Sequence, residues 1–192
     1  MSPASEQQVR ERHAARQELL LKHAAQIAQE HGLSRVTIGE VAARSGIGRS
    51  TVYSYFDSTE QLVADVIVDE MLEMVTSIKA ELRDLESPRD VVLAWTRATL
   101  TYIADGGHKT VREAMSVQLD DVRRAQIAGL HRELAAPLMQ ALTKLGHDEP
   151  MRTAFQIQSL VDACVRRIES GQPADLEISA TQDFILRGLE LN

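Results

Sequence analysis

Several structures and activities are excluded by what this sequence lacks. Of its 192 residues only Cys164 is a cysteine, so neither an intramolecular disulfide nor a cysteine-based zinc finger can form. No run approaches the roughly 18 uninterrupted apolar residues of a membrane-spanning helix, and we expect no membrane partner. The opening stretch, MSPASEQQ, carries neither the basic nor the apolar segment of a secretory signal. Together with the free thiol, this favours a cytoplasmic location.

The common signatures of enzymes and cofactor sites are also missing. The chain contains no Gly-x-Gly-x-x-Gly, no phosphate-binding loop motif and no Gly-x-Ser-x-Gly. Carboxylates are plentiful, but no second feature singles out an acid/base pair, so we predict no catalytic residues and no cofactor. Neither a His-Glu-x-x-His pair nor a Cys–His cluster occurs, so we expect no metal site. The histidines are scattered at positions 13, 23, 31, 108, 131 and 147.

Charge is unevenly distributed along the chain. The formal net charge is −7, from 21 basic and 28 acidic residues. Residues 1–58 carry seven basic and six acidic side chains, whereas residues 59–192 carry 14 and 22. The less acidic surface therefore lies at the N-terminus. Arginines outnumber lysines 17 to 4, which favours forked contacts to phosphates or carboxylates.

Helical periodicity dominates the sequence, and its ten glycines and five prolines fall mostly where helices should begin or end. Capping boxes at Thr37–Glu40 and Ser58–Gln61 mark two helix starts. We therefore predict an all-α fold of about nine helices without strands. The approximate ranges are 8–31, 37–44, 49–55, 58–82, 88–105, 110–118, 127–145, 150–171 and 179–191.

Residues 37–55 form a predicted helix-turn-helix, two short helices joined by a turn that contains Gly46. Val41 and Val52 should pack the helices together, so that the second projects from the surface. A helix of that width fits the major groove of B-DNA. There Arg49 can bond a guanine bidentately, while hydroxyl groups reach bases or phosphates. The residues offered to DNA are Gly48, Arg49, Ser50, Thr51, Tyr53 and Tyr55.

The segment TIGEVAARSGIGRSTVYSYF, residues 37–56, followed by DSTEQL, resembles the DNA-binding signature of TetR-type transcriptional regulators. The resemblance covers about residues 20–66. It implies a three-helix DNA-binding domain, residues 1–58, and a helical domain, residues 59–192, that binds a small molecule and forms a homodimer. It also implies repression that ligand binding relieves. Family members usually carry a phosphate-contacting lysine where this chain has Thr59; Thr59 and Thr37 complete the predicted DNA contacts.

The C-terminal domain should hold a mostly apolar pocket with a few polar groups that orient a ligand. The scarcity of charge there favours an apolar or weakly polar molecule. Two alternatives remain open at this point: Trp95 and Tyr102 also suit a core, and Asp162 also suits a surface position beside Arg166. The predicted ligand-binding residues are Trp95, Thr99, Tyr102, Met115, Gln118, Leu119, Phe155, Ser159 and Asp162.

The last two long helices carry more apolar side chains than one small bundle needs to bury. Two such helices from each subunit can form an isologous four-helix interface. A homodimer of this kind would read a palindromic operator, with half-sites about 34 Å apart or a multiple of that distance. The predicted interface residues are Ile157, Val161, Cys164, Ile168, Phe184, Ile185, Gly188 and Leu189.

The sequence thus predicts a DNA-binding regulator, a repressor that a small apolar ligand releases from its operator. One alternative is a ligand-independent regulator or an activator that acts through protein partners, which a C-terminal domain without a cavity would favour. A second is an enzyme built on a helical bundle, which measurable turnover would favour.

Overall fold

The computed structural model of the chain describes residues 3–107 and 119–190, and within those ranges the fold is entirely helical. A 3-10 turn, Leu33–Arg35, follows the first helix, and a π-helical turn, Ile103–Gly107, follows the fifth. The α-helices are α1 (Pro3–His31), α2 (Ile38–Ser45), α3 (Arg49–Val52), α4 (Thr59–Leu82), α5 (Pro88–Tyr102), α6 (Asp121–Lys144), α7 (Pro150–Glu169) and α8 (Ala174–Glu190).

The all-α prediction is confirmed, with differences at several helix boundaries. The helix predicted over 110–118 lies outside the described residues, so eight of the nine helices can be compared. α1 begins at Pro3 instead of Gln8, and α8 begins at Ala174 instead of Ser179. α3 ends at Val52, three residues before the predicted end, and α6 continues through Pro137.

Side-chain caps explain why two of the helices begin where they do. The Thr37 hydroxyl accepts a hydrogen bond from the Glu40 backbone N–H at 3.1 Å, and α2 starts at the next residue. At the start of α4, the Ser58 hydroxyl accepts from the Gln61 N–H at 3.1 Å. The Gln61 side chain accepts in return from the Asp57 N–H at 2.6 Å, one residue earlier than a standard capping box.

The chain divides into two compact units. In the part that is described, the first comprises residues 3–70 and 119–124, with α2 packed against both α1 and α3. The Arg44 guanidinium donates two hydrogen bonds, of 2.7 and 2.5 Å, to the Glu30 carboxylate. This ion pair joins α2 to the last turn of α1. Arg123, in the first turn of α6, donates to Asp65 Oδ1 on α4 at 2.9 Å.

The second unit comprises residues 71–107 and 125–190 in the described part of the chain. Trp95 is buried at its centre, and its indole N–H donates to the Leu134 carbonyl at 2.7 Å. Within the residues described, no helix is both long and apolar enough to cross a membrane. The buried core is drawn from every helix of the unit: Met74, Ile78, Leu82, Val92, Trp95, Ala98, Leu100, Leu138, Ala141, Leu142, Ile157, Val161, Cys164, Ile178 and Ile185.

Candidate nucleic-acid interface

The residues predicted to read DNA lie on a very short helix that the core of the first unit holds in place. α3 has four residues and begins after Gly48, whose carbonyl accepts from the backbone N–H groups of Thr51 and Val52. A helix of this length has no stability of its own, because nucleation costs more than one turn returns. Val52 and Phe56 are completely buried and anchor it at both sides of the following turn. The surface of α3 is therefore fixed by packing from behind.

The opposite side of α3 is open to solvent. Gly48, Arg49 and Ser50 are exposed, and Tyr53 is 56% exposed although it is a large aromatic residue. Thr51 is half-buried. The predicted DNA contacts on and beside this helix thus form one mostly exposed surface, which we call the reading surface: Gly48, Arg49, Ser50, Thr51 and Tyr53.

Arg49 lies across the first turn of α2, where Gly39 leaves room for it. A Cβ atom added to Gly39 would lie 2.7 Å from Arg49 Nη2 and 3.1 Å from Arg49 Cζ, closer than side chains approach. Gly39 therefore permits the observed position of the guanidinium. Sequence reasoning did not identify this role, because two residues ten positions apart meet only after the helix-turn-helix has formed.

Tyr55 is positioned differently from the rest of the predicted set. It is half-buried, and its ring lies against the ring of His13 on α1, with centroids 4.4 Å apart and planes inclined by 31°. This contact joins the first half of α1 to the turn that follows α3. Nothing in the local sequence around either residue signals it, since they are far apart along the chain.

The two predicted threonine contacts lie at helix starts. Thr37 caps α2 with its hydroxyl oxygen and keeps its hydroxyl hydrogen available for a phosphate. Thr59 is the first residue of α4 and is half-buried. Beside it, the backbone N–H of Glu60 and the Ser58 hydroxyl hold the pKa of the Glu60 carboxyl below its usual value. A carboxylate thus already occupies the start of α4, which makes this end a weaker phosphate site than a lysine would provide.

Sequence comparison shows which known family this region resembles. Residues 20–66 match the family described as "Bacterial regulatory proteins, tetR family". Over this stretch, about a quarter of its length, the chain is similar to the TetR family. The match spans the end of α1, the helix-turn-helix and the first part of α4, which is the region that builds the reading surface.

The relatives of this chain are distant in sequence. It is 28% identical over 68 residues to the uncharacterized HTH-type regulator Rv2250c of Mycobacterium tuberculosis, a match that covers 35% of this chain and 36% of that protein. The chain thus matches only about a third of the length of these mycobacterial relatives. It is 26% identical over 163 residues to the HTH-type regulator BetI of Cronobacter sakazakii, which covers 78% of each.

Solved structures show that the similarity of fold extends beyond the DNA-binding region. A transcriptional regulator from Saccharomonospora viridis, solved in complex with choline, superimposes with a TM-score of 0.77 at 16% identity, covering 90% of this chain and 96% of that one. FadR from Bacillus subtilis, solved in complex with stearoyl-CoA, gives 0.67 at 16% identity with the same coverage. Both share the all-helical fold of this chain.

The structure separates the predicted ligand-binding residues into three groups. Trp95 and Thr99 are buried inside the second unit, and Tyr102 and Leu119 are half-buried. Met115 and Gln118 lie outside the described residues. The third group lies on α7 and is exposed, and Phe155 and Ser159 line a groove on the outside of this helix. Its members are Phe155, Ser159 and Asp162. Gln158 donates to the Asp162 carboxylate at 2.9 Å, as expected of a surface residue.

The predicted dimer-interface residues also divide between the core and the surface of their own subunit. Four of them are buried in the core of their own subunit: Ile157, Val161, Cys164 and Ile185. Of these, Ile157 and Ile185 also line a groove on the outside of α7 and α8. Ile168 and Leu189 pack partly against the same core. Phe184 and Gly188 are exposed. The apolar residues of α7 that repeat at regular helical spacing are the ones that face the core. Periodicity alone does not show which face of a helix packs against its own subunit and which meets a partner.

We expect substitution of Gly39 to move the Arg49 side chain without lowering the stability of the fold. Gly39→Ala should leave the free energy of unfolding unchanged or raise it by up to about 1 kcal/mol, because the group displaced is the flexible end of an arginine and alanine favours helix. It should nevertheless weaken binding to operator DNA, since Arg49 must move. Both quantities can be measured by urea unfolding and by fluorescence anisotropy.

A double-mutant cycle makes this prediction specific. If Gly39 acts through Arg49, then Arg49→Ala in the Gly39→Ala background should cost less than Arg49→Ala alone. Gly129→Ala is the matched control, because a Cβ there meets only the end of Arg132 at 4.0 Å. Fully additive losses of affinity would show that the two residues act independently.

Proposed function

We propose that this chain is a repressor that binds a palindromic operator as a homodimer and leaves it when a small, mostly apolar molecule binds its C-terminal domain. In this proposal residues 1–58 read the DNA, and residues 59–192 carry the effector and dimer sites. The observation that carries it is the reading surface, an exposed Arg-Ser-Thr-x-Tyr stretch supported from behind by buried Val52 and Phe56. The chemistry of this surface matches recognition in the major groove.

Arg49 is the residue on which we expect sequence specificity to depend most. A guanidinium that bonds guanine O6 and N7 contributes about 1–3 kcal/mol of discrimination at one base pair. Arg49→Ala should therefore weaken operator binding by that amount and make the protein indifferent to substitution of that base pair. Binding should be measured at fixed salt on a set of operators, each with one base pair changed. Unaltered discrimination at every position would contradict the assignment.

An apolar groove on the outside of α7 and α8 supports the homodimer. Its volume is about 490 Å³, and its lining includes Phe155, Leu160, Phe184 and Gly188. Phe155 is 74% exposed and Phe184 64% exposed in the isolated subunit, which is unusual for phenylalanine. A second copy presenting the same groove would cover these rings in an isologous four-helix contact. The interface we propose therefore uses the outward faces of both helices.

Substitution at the centre of this groove should separate the subunits. Phe184→Asp would place a charge in a desolvated apolar contact, so we expect a monomer at micromolar concentration and a loss of operator affinity. Val122→Asp is the control, because Val122 is equally exposed (64%) but lies on α6 outside the groove. Sedimentation equilibrium measures both. A dimeric Phe184→Asp variant would place the interface elsewhere.

Thr99 on α5 supports an effector site inside the second unit. Its side chain is 2% exposed, and its hydroxyl has no hydrogen-bond partner among the described residues. A buried hydroxyl without a partner costs about 1–3 kcal/mol, which a polar atom of a bound molecule would recover. By contrast, the buried hydroxyl of Thr96 donates to the Val92 carbonyl at 2.8 Å. The two threonines of one helix therefore differ in what they can offer a ligand.

The composition of the second unit favours an apolar effector over a quaternary ammonium ion such as the choline of the Saccharomonospora viridis regulator. An ammonium ion is bound by a cage of aromatic rings. From residue 71 onward the aromatic residues are Trp95, Tyr102, Phe155 and Phe184. Two of these are exposed on the groove and Trp95 is packed in the core, which leaves too few rings for a cage.

The effector acts on the DNA-binding domain through α4 in this proposal, because that helix contributes residues to both compact units. A ligand that prefers the DNA-incompetent position of α4 shifts the population toward it. A hundredfold preference corresponds to about 2.7 kcal/mol of coupling per site. A ligand-independent regulator remains the competing function, and effector titrations separate the two.

We expect Thr99→Val to stabilise the free protein and to weaken its response to effector. Removal of the unpaired hydroxyl should raise the free energy of unfolding by about 1 kcal/mol, whereas Thr96→Val should give no such gain. A series of n-alkanols serves as the probe for operator release. In the wild type, each added methylene should strengthen release about fourfold, from about 0.8 kcal/mol of burial. Release by choline but by no alkanol would contradict an apolar effector.

A further inference from the structure

The first half of α1 is a helix without a covering partner. The side chains of residues 6–16 are all exposed, whereas Leu20, Ala24 and Ile27 further along the same helix are buried in the first unit. An uncovered helical stretch gains nothing from apolar burial. Its side chains are therefore available to another molecule.

Helical spacing shows which face of this stretch is turned toward the reading surface. Val9, His13 and Gln17 follow one another at four-residue steps and continue in line with Leu20 and Ala24. The helix face that is buried at Leu20 and Ala24 is therefore exposed to solvent in the first half of α1. The ring of His13 lies against Tyr55, 4.4 Å between centroids, so this open face runs beside the end of the reading segment.

Cations flank the contact between His13 and Tyr55. Arg10 and Arg16 lie three residues before and after His13, about 9 Å apart along the helix axis. Neither forms an ion pair within the described residues, whereas Arg35 and Arg44 in the same unit are paired with Glu40 and Glu30.

The acidic residues of this stretch are Glu6 and Glu11. Glu11 accepts a hydrogen bond from Gln7 at 3.0 Å. Glu11 and Gln7 lie on the far side of the helix from His13. Glu6 shares the face of His13 but lies two helical turns before it. Around His13 itself, the face is therefore positively charged.

We propose that Arg10 and Arg16 bind the sugar–phosphate backbone of operator DNA next to the base pairs that α3 reads. The stacking of His13 on Tyr55 holds this part of α1 in position, which makes His13 a positioning residue. The inference rests on the proposed DNA-reading function. In this inference α1 supplies the positive charge that contacts the DNA backbone. The start of α4 does not supply it, because it carries Thr59 and the Glu60 carboxylate.

The salt dependence of binding tests this assignment. Each phosphate contact that is lost lowers the slope of log Kd against log salt by about one. Arg10→Gln combined with Arg16→Gln removes two contacts from each subunit, and therefore four from a bound dimer, so it should lower the slope by about four. Lys22→Gln is the matched control: Lys22 is an exposed cation of the same helix on the opposite face, and its loss should leave the slope unchanged.

The length of the DNA provides a second, independent comparison. On a duplex that carries the protein's own selected operator with about one helical turn of flanking DNA on each side, the double variant should bind more weakly than the wild type. On a duplex trimmed to the two half-sites, wild type and variant should bind alike. Arg10→Lys combined with Arg16→Lys should restore the slope, because the charge is retained. His13→Ala should weaken binding about two- to tenfold on the long duplex only.

The outcomes distinguish this inference from the function on which it rests. If the wild type binds its operator specifically but the double glutamine variant has the wild-type slope on the long duplex, the assignment to α1 is overturned and the proposed function stands. An equal loss on long and trimmed duplexes also overturns it, because the arginines then act on the reading surface itself. If the wild type shows no sequence-specific binding, both fail together.

Discussion

The burial of Val52 and Phe56 is the constraint on which the proposed DNA-reading function of this protein depends. A four-residue helix is far below the length at which backbone hydrogen bonds alone maintain helical structure. Its two buried side chains fix it against the first unit, and the exposed residues between and before them acquire defined positions. A reading surface of this kind loses its order as soon as its support is loosened. In the proposed function, small shifts in the helices behind α3 would therefore be enough to weaken DNA binding.

Charge in the first unit is organised around the same helix. Two of its arginines are neutralised by glutamates at the junction of α1, the 3-10 turn and α2, where they stabilise the fold. Arg49 and the α1 pair have no such partner in the described chain. The overall charge of −7 hides this arrangement, because the acidic excess lies in the C-terminal part of the sequence. Net charge is accordingly a poor guide to nucleic-acid binding when one small unit does the binding.

Features set by local chemistry were predictable from the sequence. The capping roles of Thr37 and Ser58 depend on residues three positions away, and the structure shows both. The helix-turn-helix depends on a short spacing of apolar residues around a glycine. The exposure of Arg49, Ser50 and Tyr53 follows from it.

Features set by tertiary packing were not predictable from the sequence. α7 carries apolar residues on two faces, and only the folded subunit shows that Ile157, Val161 and Cys164 point inward while Phe155 points outward. Likewise the pairing of His13 with Tyr55 joins residues whose local patterns are unrelated. The unpartnered hydroxyl of Thr99 also became visible only in its packed surroundings.

Selection of binding sites from random double-stranded DNA by the purified protein tests the central claim most directly. The account predicts an inverted repeat whose half-site centres are about 34 Å apart, or a multiple of that distance, with a guanine at the position that Arg49 reads. Recovery of sequences without any shared motif, or of a single unrepeated site bound by one subunit, would contradict it.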